Sequence, residues 1–384
     1  MKILYVASSC GWGGGSVALF NLIKGLKDRG HALMVLFPND GDKRFCEELD
    51  QINIKYSFAN YGLTIYPRTR NPFKYIVRLC RVVIQQRKAQ HKVYGLINSY
   101  KPDIVHTNVG PLDIALTPCR KCHVPHIWHL REYQDKDFGM VFMPSKSSFI
   151  RRIHQNGNYN IAITNGVFSY WRLNPQKDVV IYDGVFSEND GAVSCPKEDI
   201  ILFAGRIEKA KGVCDLFEPF SNLLKLHPGY KLILAGKYQK RSKYYQQCMR
   251  LIKQLNIDKS VVFLGEVSNV YEWMAKARAL VVPSRFEGFG FITVEAMLNG
   301  CFVVGRNTAG TKEQFDKCLE ETGVECAYRF TNTRELYEGL KFAVENDTSE
   351  QCKQAQLVVM DNYTQEKHCS KVEEFYNKVK SLYV

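Results

Sequence analysis

The sequence predicts an α/β protein with two parallel-sheet domains, and three observations carry that expectation. Short apolar runs alternate with helical patterns across residues 1–185. The stretch DVVIYDGVFSENDGAVSCPKED then turns polar and reads as a linker. The same alternation restarts at DIILFAGRI, and a chain of 384 residues with 45% apolar content suits two cores better than one.

KILYVAS, the first run, ends in a glycine turn. SVALFNLIKGLKDRG follows as a helix whose Val17, Phe20, Leu22, Ile23 and Leu26 share one face; Gly30 closes it and Ser16 is its expected cap. HALMVLF, DIVHTN, HIWHL and NIAITN read as further strands, with a long basic helix around 72–98. After the break, DIILFAGRI, YKLILAGK, SVVFLGEV, ALVVPS and CFVVGRN read as strands. Helices are expected over 212–226, 241–255, 269–278 and from near Phe291 to Gly300, and TQEKHCSKVEEFYNKVKSLYV reads as a terminal helix. Both halves are thus Rossmann-like, and the expected domains are 1–185 and 186–360 with a terminal helix 361–384. Open sheets of this kind bind ligands beyond the C-terminal ends of their strands, so two in tandem should face one another across a cleft.

Charge is uneven. Residues 1–185 hold 25 Lys and Arg against 13 Asp and Glu, whereas 186–384 hold 27 against 26; no acid lies between Asp50 and Asp103. An anionic partner for the first half follows. Thirteen irregularly spaced cysteines and no secretory signal suggest reduced thiols in a cytoplasmic protein, and no run is long enough to span a membrane. Cys119, Cys122, His123, His126 and His129 cluster in sequence, but in a strand His126 and His129 point to opposite faces, so no metal site is expected.

Three strand ends carry candidate chemistry. SSCGWGGGS, with Gly11, Gly13, Gly14 and Gly15, is either a phosphate-cradling loop at a helix start or a tight turn. It lacks both G-x-G-x-x-G and the lysine of a P-loop. GRIEKAKG places Arg206 and Lys211 where a diphosphate can sit, the alternative being a solvated loop. SRFEGFGFITVEAM sets Glu287 on a loop and Glu295 about one turn into a helix; a carboxylate accepts two hydrogen bonds from a vicinal diol, and the helix start can hold a phosphate.

Together GGGS, GRIEKAKG and FEGFGFITVEAM resemble the retaining glycosyltransferase family four, with WHLRE and VIYDGV as further landmarks, over nearly the whole chain. The resemblance implies the GT-B fold, two Rossmann-like domains with the C-terminal helix crossing back to the first. It implies that Arg206 and Lys211 hold a donor diphosphate with the Gly14 and Gly15 backbone behind it, and that Glu295 binds ribose. Glu287, with the amides of Gly288, Phe289, Gly290, Phe291 and Ile292, would face the transferred sugar and β-phosphate, and His129 would meet the sugar from the first domain. Asp183 stands where the family usually has Asn, and no role is assigned to it.

The expected reaction is sugar transfer with retention from a nucleotide diphosphate sugar, a UDP-sugar first and a GDP-sugar second, to a glycan or lipid-linked acceptor in surface-polysaccharide synthesis. Arg206 and Lys211 can take a metal's place at the leaving group, so neither metal nor other cofactor is expected. Basic residues 68–92, among them Lys74, Arg78, Arg81, Lys88 and Lys92, suggest peripheral docking on the anionic inner face of the membrane. A basic nucleic-acid or lipid-binding protein explains only the charge, and the motifs favour no nucleic-acid partner. An epimerase or dehydrogenase would need the missing G-x-G-x-x-G.

Overall fold

The computed structural model describes every residue except Asp40 and Val384. The chain forms two compact units, one of Met1–Gly184 with Gln365–Val384 and the other of Val185–Thr364.

In the first unit seven parallel strands form one sheet, in the spatial order Lys55–Ala59, Ala32–Pro38, Lys2–Val6, Ile104–Asn108, His126–Leu130, Asn158–Ala162 and Val179–Val180. Chain order reverses between Lys2–Val6 and Ile104–Asn108, which pair directly, and at such a reversal the two flanking loops part and leave a crevice. Because helices cover both faces, the central strands are buried on both sides rather than on alternate residues; all five residues of HIWHL are buried, His126 and His129 among them. The helix Gln365–Ser381 belongs to this unit's core. Its Cys369, Val372, Phe375, Tyr376 and Val379 pack with Leu19, Leu22 and Leu26 of the helix Gly14–Asp28, while Arg29 and His31 both reach Glu373 and Lys380 reaches Asp103.

The second unit repeats the plan with six parallel strands, ordered Val261–Gly265, Lys231–Ala235, Glu198–Ala204, Ala277–Val282, Phe302–Arg306 and Ala327–Phe330. Its reversal lies between Glu198–Ala204 and Ala277–Val282, the strands that feed GRIEKAKG and SRFEGFG.

Two local expectations are corrected. Ser16 does not cap its helix, which starts at Gly14. Gly13 is extended at the cap, and its carbonyl accepts from both the Ser16 and Val17 amides at 2.9 Å. Nor is 212–226 one helix. Gly212, at φ +69°, separates a 3-10 turn, Lys209–Lys211, from a second, Val213–Leu216, which runs directly into the helix Phe217–Leu226. A Cβ at Gly212 would lie 2.4 Å from the Pro283 carbonyl oxygen, so close strand-end packing requires glycine here.

Candidate functional site

In the second unit the two motifs meet at the sheet's reversal. Gly205 continues the first strand at φ +147°, and Gly236 must be glycine because its Cβ would fall 2.0 Å from the Gly205 oxygen. Beyond this bend Arg206 projects outward with an exposed side chain, its Nη2 3.0 Å from Glu208. Lys211 turns the other way and donates to Glu287 Oε1 at 2.7 Å, both side chains being largely covered. Sequence-distant Lys211 and Glu287 therefore form one charge pair.

Glu287 is held through its backbone: its carbonyl accepts from Gly310 at 3.0 Å, and a Cβ on Gly310 would strike the Phe289 oxygen at 2.2 Å. Gln314 donates to the carbonyls of Phe289 and Gly290 at 2.8 and 3.2 Å. Gly290 is left-handed at φ +91° and starts the helix Phe291–Leu298, whose first turn carries no acid. Helix geometry leaves the Phe291 and Ile292 amides without intrahelical acceptors, a partial positive charge beside the pair. Glu295, one turn in, hydrogen-bonds Tyr271; burial pushes its carboxyl up to about 7, against the lowering effect of that phenol. The unit thus presents a cation pair, open amides and a carboxylate in series along one reversal.

The first unit carries the glycine loop. Gly13 and Gly14 are exposed and nothing lies within 4 Å of where their Cβ atoms would stand, while Gly15 lies against the Arg131 side chain. Arg131 was missed by the sequence reading. It is 4% exposed, its Nε donates to Asn108 Oδ1 at 2.7 Å, and its guanidinium pairs with the fully buried Asp183. Asn108 also donates to the Gly15 carbonyl, so the pair is tied to the loop. The readable signal was the charge in WHLRE and in VIYDGV, since arginine and aspartate are rarely buried unless paired.

His129 is completely buried beside this pair. Its Nδ1 accepts from Arg131 Nη2 at 3.4 Å, and its ring neighbours His106 and His368. Burial first, and then the Arg131 charge, holds its proton affinity well below the usual histidine range. His129, Asp183 and His368 bring potential ligand atoms within 4.8 Å of one another. His129 Nε2, His368 Nε2 and Asp183 Oδ1 are buried there without a hydrogen-bond partner. His368 Nδ1 accepts from the Gly184 amide at 3.1 Å, which leaves the proton on Nε2, and His129 Nδ1 is already engaged. His126 does lie on the opposite face of the strand from His129, bonded to Thr107 and Asn158.

Two Asp-x-Asp triplets, the usual metal-holding pattern of another glycosyltransferase fold, also escaped the sequence reading. Asp40 of Asp40-Gly41-Asp42 lies outside the described residues. In Asp135-Lys136-Asp137 the carboxylates are committed: Asp135 to Lys146 and Tyr170, Asp137 to the amides of Tyr133 and Phe138.

Among basic residues 68–92, Arg78 is bound to the Pro67 carbonyl and stacks over Tyr66, whereas Lys74, Arg81, Lys88 and Lys92 are exposed. No helix among the described residues is long and apolar enough to cross a membrane.

Residues 12–188 match the family described as Glycosyltransferase Family 4, and residues 188–357 match Glycosyl transferases group 1. An uncharacterized glycosyltransferase of Methanocaldococcus jannaschii is 34% identical over 305 residues, covering 71% of this chain and 75% of that one. The N-acetylgalactosamine-N,N'-diacetylbacillosaminyl-diphospho-undecaprenol 4-alpha-N-acetylgalactosaminyltransferase of Campylobacter jejuni is 28% identical over 199 residues, half of this chain and half of that enzyme's length. Among solved structures, HepE of Anabaena in complex with UDP superimposes with a TM-score of 0.79 at 19% identity, covering 98% of this chain and all of that one.

Proposed function

The chain belongs to the family 4 glycosyltransferases, and from that membership we propose transfer of a sugar, with retention of its anomeric configuration, from a nucleotide diphosphate sugar to a lipid-linked or other glycan acceptor. The observation that carries this reading is the series in the second unit: Arg206, the Lys211–Glu287 pair, the open start of helix Phe291–Leu298, and Glu295.

Each residue has a task dictated by charge. Cleavage of the donor leaves negative charge on the diphosphate while the sugar becomes cationic. Arg206, Lys211 and the Phe291 and Ile292 amides stabilise the first, which is why no metal is assigned. Glu287 faces the second; a bound diphosphate competes for Lys211, freeing the carboxylate to orient the sugar. Glu295 accepts from the ribose diol. The Gly14 and Gly15 amides of the first unit supply further donors to the diphosphate, and His129 acts on the sugar side through Arg131. The acceptor attacks from the leaving-group face, and the diphosphate takes its proton.

UDP is the preferred nucleotide, supported by HepE's complex, with GDP second. A polyprenyl-diphosphate acceptor is supported by the Campylobacter relative's name, and surface-polysaccharide assembly is the corresponding setting. The exposed lysines and arginines of 68–92 are proposed to dock on the anionic inner face of the membrane.

The test is a thermal-shift series with UDP, GDP and NAD, followed by donor hydrolysis across nucleotide sugars and NMR of the product anomer. Selective stabilisation by a nucleoside diphosphate and a retained anomer are expected. Stabilisation by NAD alone, or an inverted product, overturns the reading.

A further inference from the structure

Cys214 lies on the short turn Val213–Leu216, three residues beyond Lys211, and its Sγ is 3.5 Å from the Sγ of Cys248. The two sulfurs touch although they are 34 positions apart, one on the turn and the other on the buried face of the helix Lys243–Gln254. Cys248 is fully buried, whereas Cys214 is only partly covered and open to a small reagent. Cys318 and Cys326 also hydrogen-bond one another, but both of these are buried.

The Cys214 and Cys248 thiols are not equivalent. The Cys248 S–H donates to the Cys214 sulfur, and so does the hydroxyl of Tyr244, one helical turn before Cys248. Together they bring the Cys214 thiol down to about 7 against the opposing effect of burial. Cys248, as the donor, is pushed up by that bond and by its burial. The turn is fixed to the helix by its backbone as well, the Cys214 amide donating to the Tyr244 oxygen at 3.1 Å. A thiolate held by two donors, with a second thiol in contact behind it, is the arrangement of an attacking and a resolving cysteine.

We propose that Cys214 and Cys248 form an oxidation site at which a hydroperoxide closes a disulfide. The Cys214 thiolate attacks a peroxide oxygen, the O–O bond breaks, and the hydroxide that leaves takes a proton from solvent and departs as water. The Cys248 sulfur then attacks the sulfenic acid on Cys214. The S–S bond forms, the S–O bond breaks, and the departing hydroxide takes the Cys248 proton, so two thiols lose two electrons to one peroxide and two waters result. Closure brings the sulfurs about 1.5 Å nearer, to the bond length of about 2.05 Å. The turn has little slack for this: Asp215 is paired to Arg306 at 2.7 Å, Arg306 donates to the Pro283 carbonyl at 3.1 Å, and Gly212 packs against that same carbonyl. The strain passes to Lys211 and displaces its ammonium from the 2.7 Å contact with Glu287. On the proposed function, on which this consequence alone rests, the oxidised chain binds a nucleoside diphosphate less tightly.

The experiment treats the full chain with hydrogen peroxide, blocks the remaining thiols and maps cross-links by mass spectrometry of the unreduced digest; UDP affinity is measured by calorimetry before and after. A Cys214–Cys248 cross-link is expected as the main product, with UDP affinity reduced about tenfold or more and restored by dithiothreitol. Cys248→Ala should halt at a sulfenic acid on Cys214, trapped by dimedone, and Cys214→Ser should keep the parent's UDP affinity through peroxide treatment. Absence of the cross-link, or a Cys318–Cys326 bond in its place, overturns the proposal; an unchanged UDP constant in the fully cross-linked protein overturns the coupling to Lys211. A reduced parent that does not bind UDP fails the donor reading instead, and the cross-link yield still decides the oxidation site.

Discussion

Glu295 is a carboxyl that burial holds near neutrality, and this has a consequence for nucleotide affinity. On the proposed function a ribose diol donates to this carboxylate, which forms progressively as the pH rises through about 7. UDP affinity should therefore rise between pH 6 and 8, with Glu295→Gln flattening that rise; titration calorimetry across the range decides it. On the proposed function Lys211 contributes differently, because the charge of a leaving diphosphate is largest at bond breaking. Lys211→Met should cost about 10²–10³ in kcat with a smaller change in KM, the pattern of lost leaving-group stabilisation. An equal loss in ground-state binding alone would remove it from that role. Both residues could be singled out in the sequence; their division between phosphate and ribose rests on the family resemblance and belongs to the proposal. The pairing of Lys211 with Glu287 could not be read there: it spans 76 positions, and only the strand order brings the two together. Arg131 was passed over for the opposite reason, since a charge beside an apolar strand reads as a solvated end until Asp183 is found facing it.

At the level of elements, strands and helices were readable wherever apolar runs were long and glycine punctuated them. Short pieces governed by tertiary contact were not. The 3-10 turns around Gly212 are set by the approach of Pro283, which no local pattern encodes. Gly212→Ala should accordingly destabilise the second unit and weaken UDP binding together, since relieving the clash moves Lys211; a normal nucleotide constant would show the turn to be slack. The strand HIWHL ends on the Arg131–Asp183 pair, whose carboxylate has no exposure. Arg131→Met leaves that charge uncompensated, and a loss of roughly 3–5 kcal/mol in denaturant unfolding is expected. Arg131→Met with Asp183→Asn should recover part of it. Nearby His368 is held neutral by burial, its proton affinity lowered to about 4. Since the unfolded chain binds that proton from about 6.5 downward, stability is lost as pH falls from there towards 4, at up to about 1.4 kcal/mol per unit. His368→Gln, whose amide oxygen can still accept from Gly184, should flatten that limb of the melting profile relative to the parent.

Across the whole chain, the two-unit division was readable from the polar break and from the restart of the strand pattern. That Gln365–Ser381 completes the first unit came only from family resemblance, because an amphipathic helix does not announce its partner. Its five buried core residues at roughly 1.5–3 kcal/mol each amount to about 8–15 kcal/mol, comparable to the entire stability of a domain. Removal of residues 365–384 should therefore unfold the first unit while the second, continuous in sequence, keeps its UDP response. Limited proteolysis would show digestion confined to residues 1–184, and an intact first unit would contradict this.

That split unit also imposes an order on synthesis. Residues 1–184 leave the ribosome with the face of Leu19, Leu22 and Leu26 uncovered, and the segment that covers it follows only after the 180 residues Val185–Thr364. At about 5–20 residues per second the wait is roughly 10–40 s. During that interval the nascent chain carries an unfinished apolar surface, so its yield in the cell should depend on chaperone capacity more than the stability of the finished protein suggests.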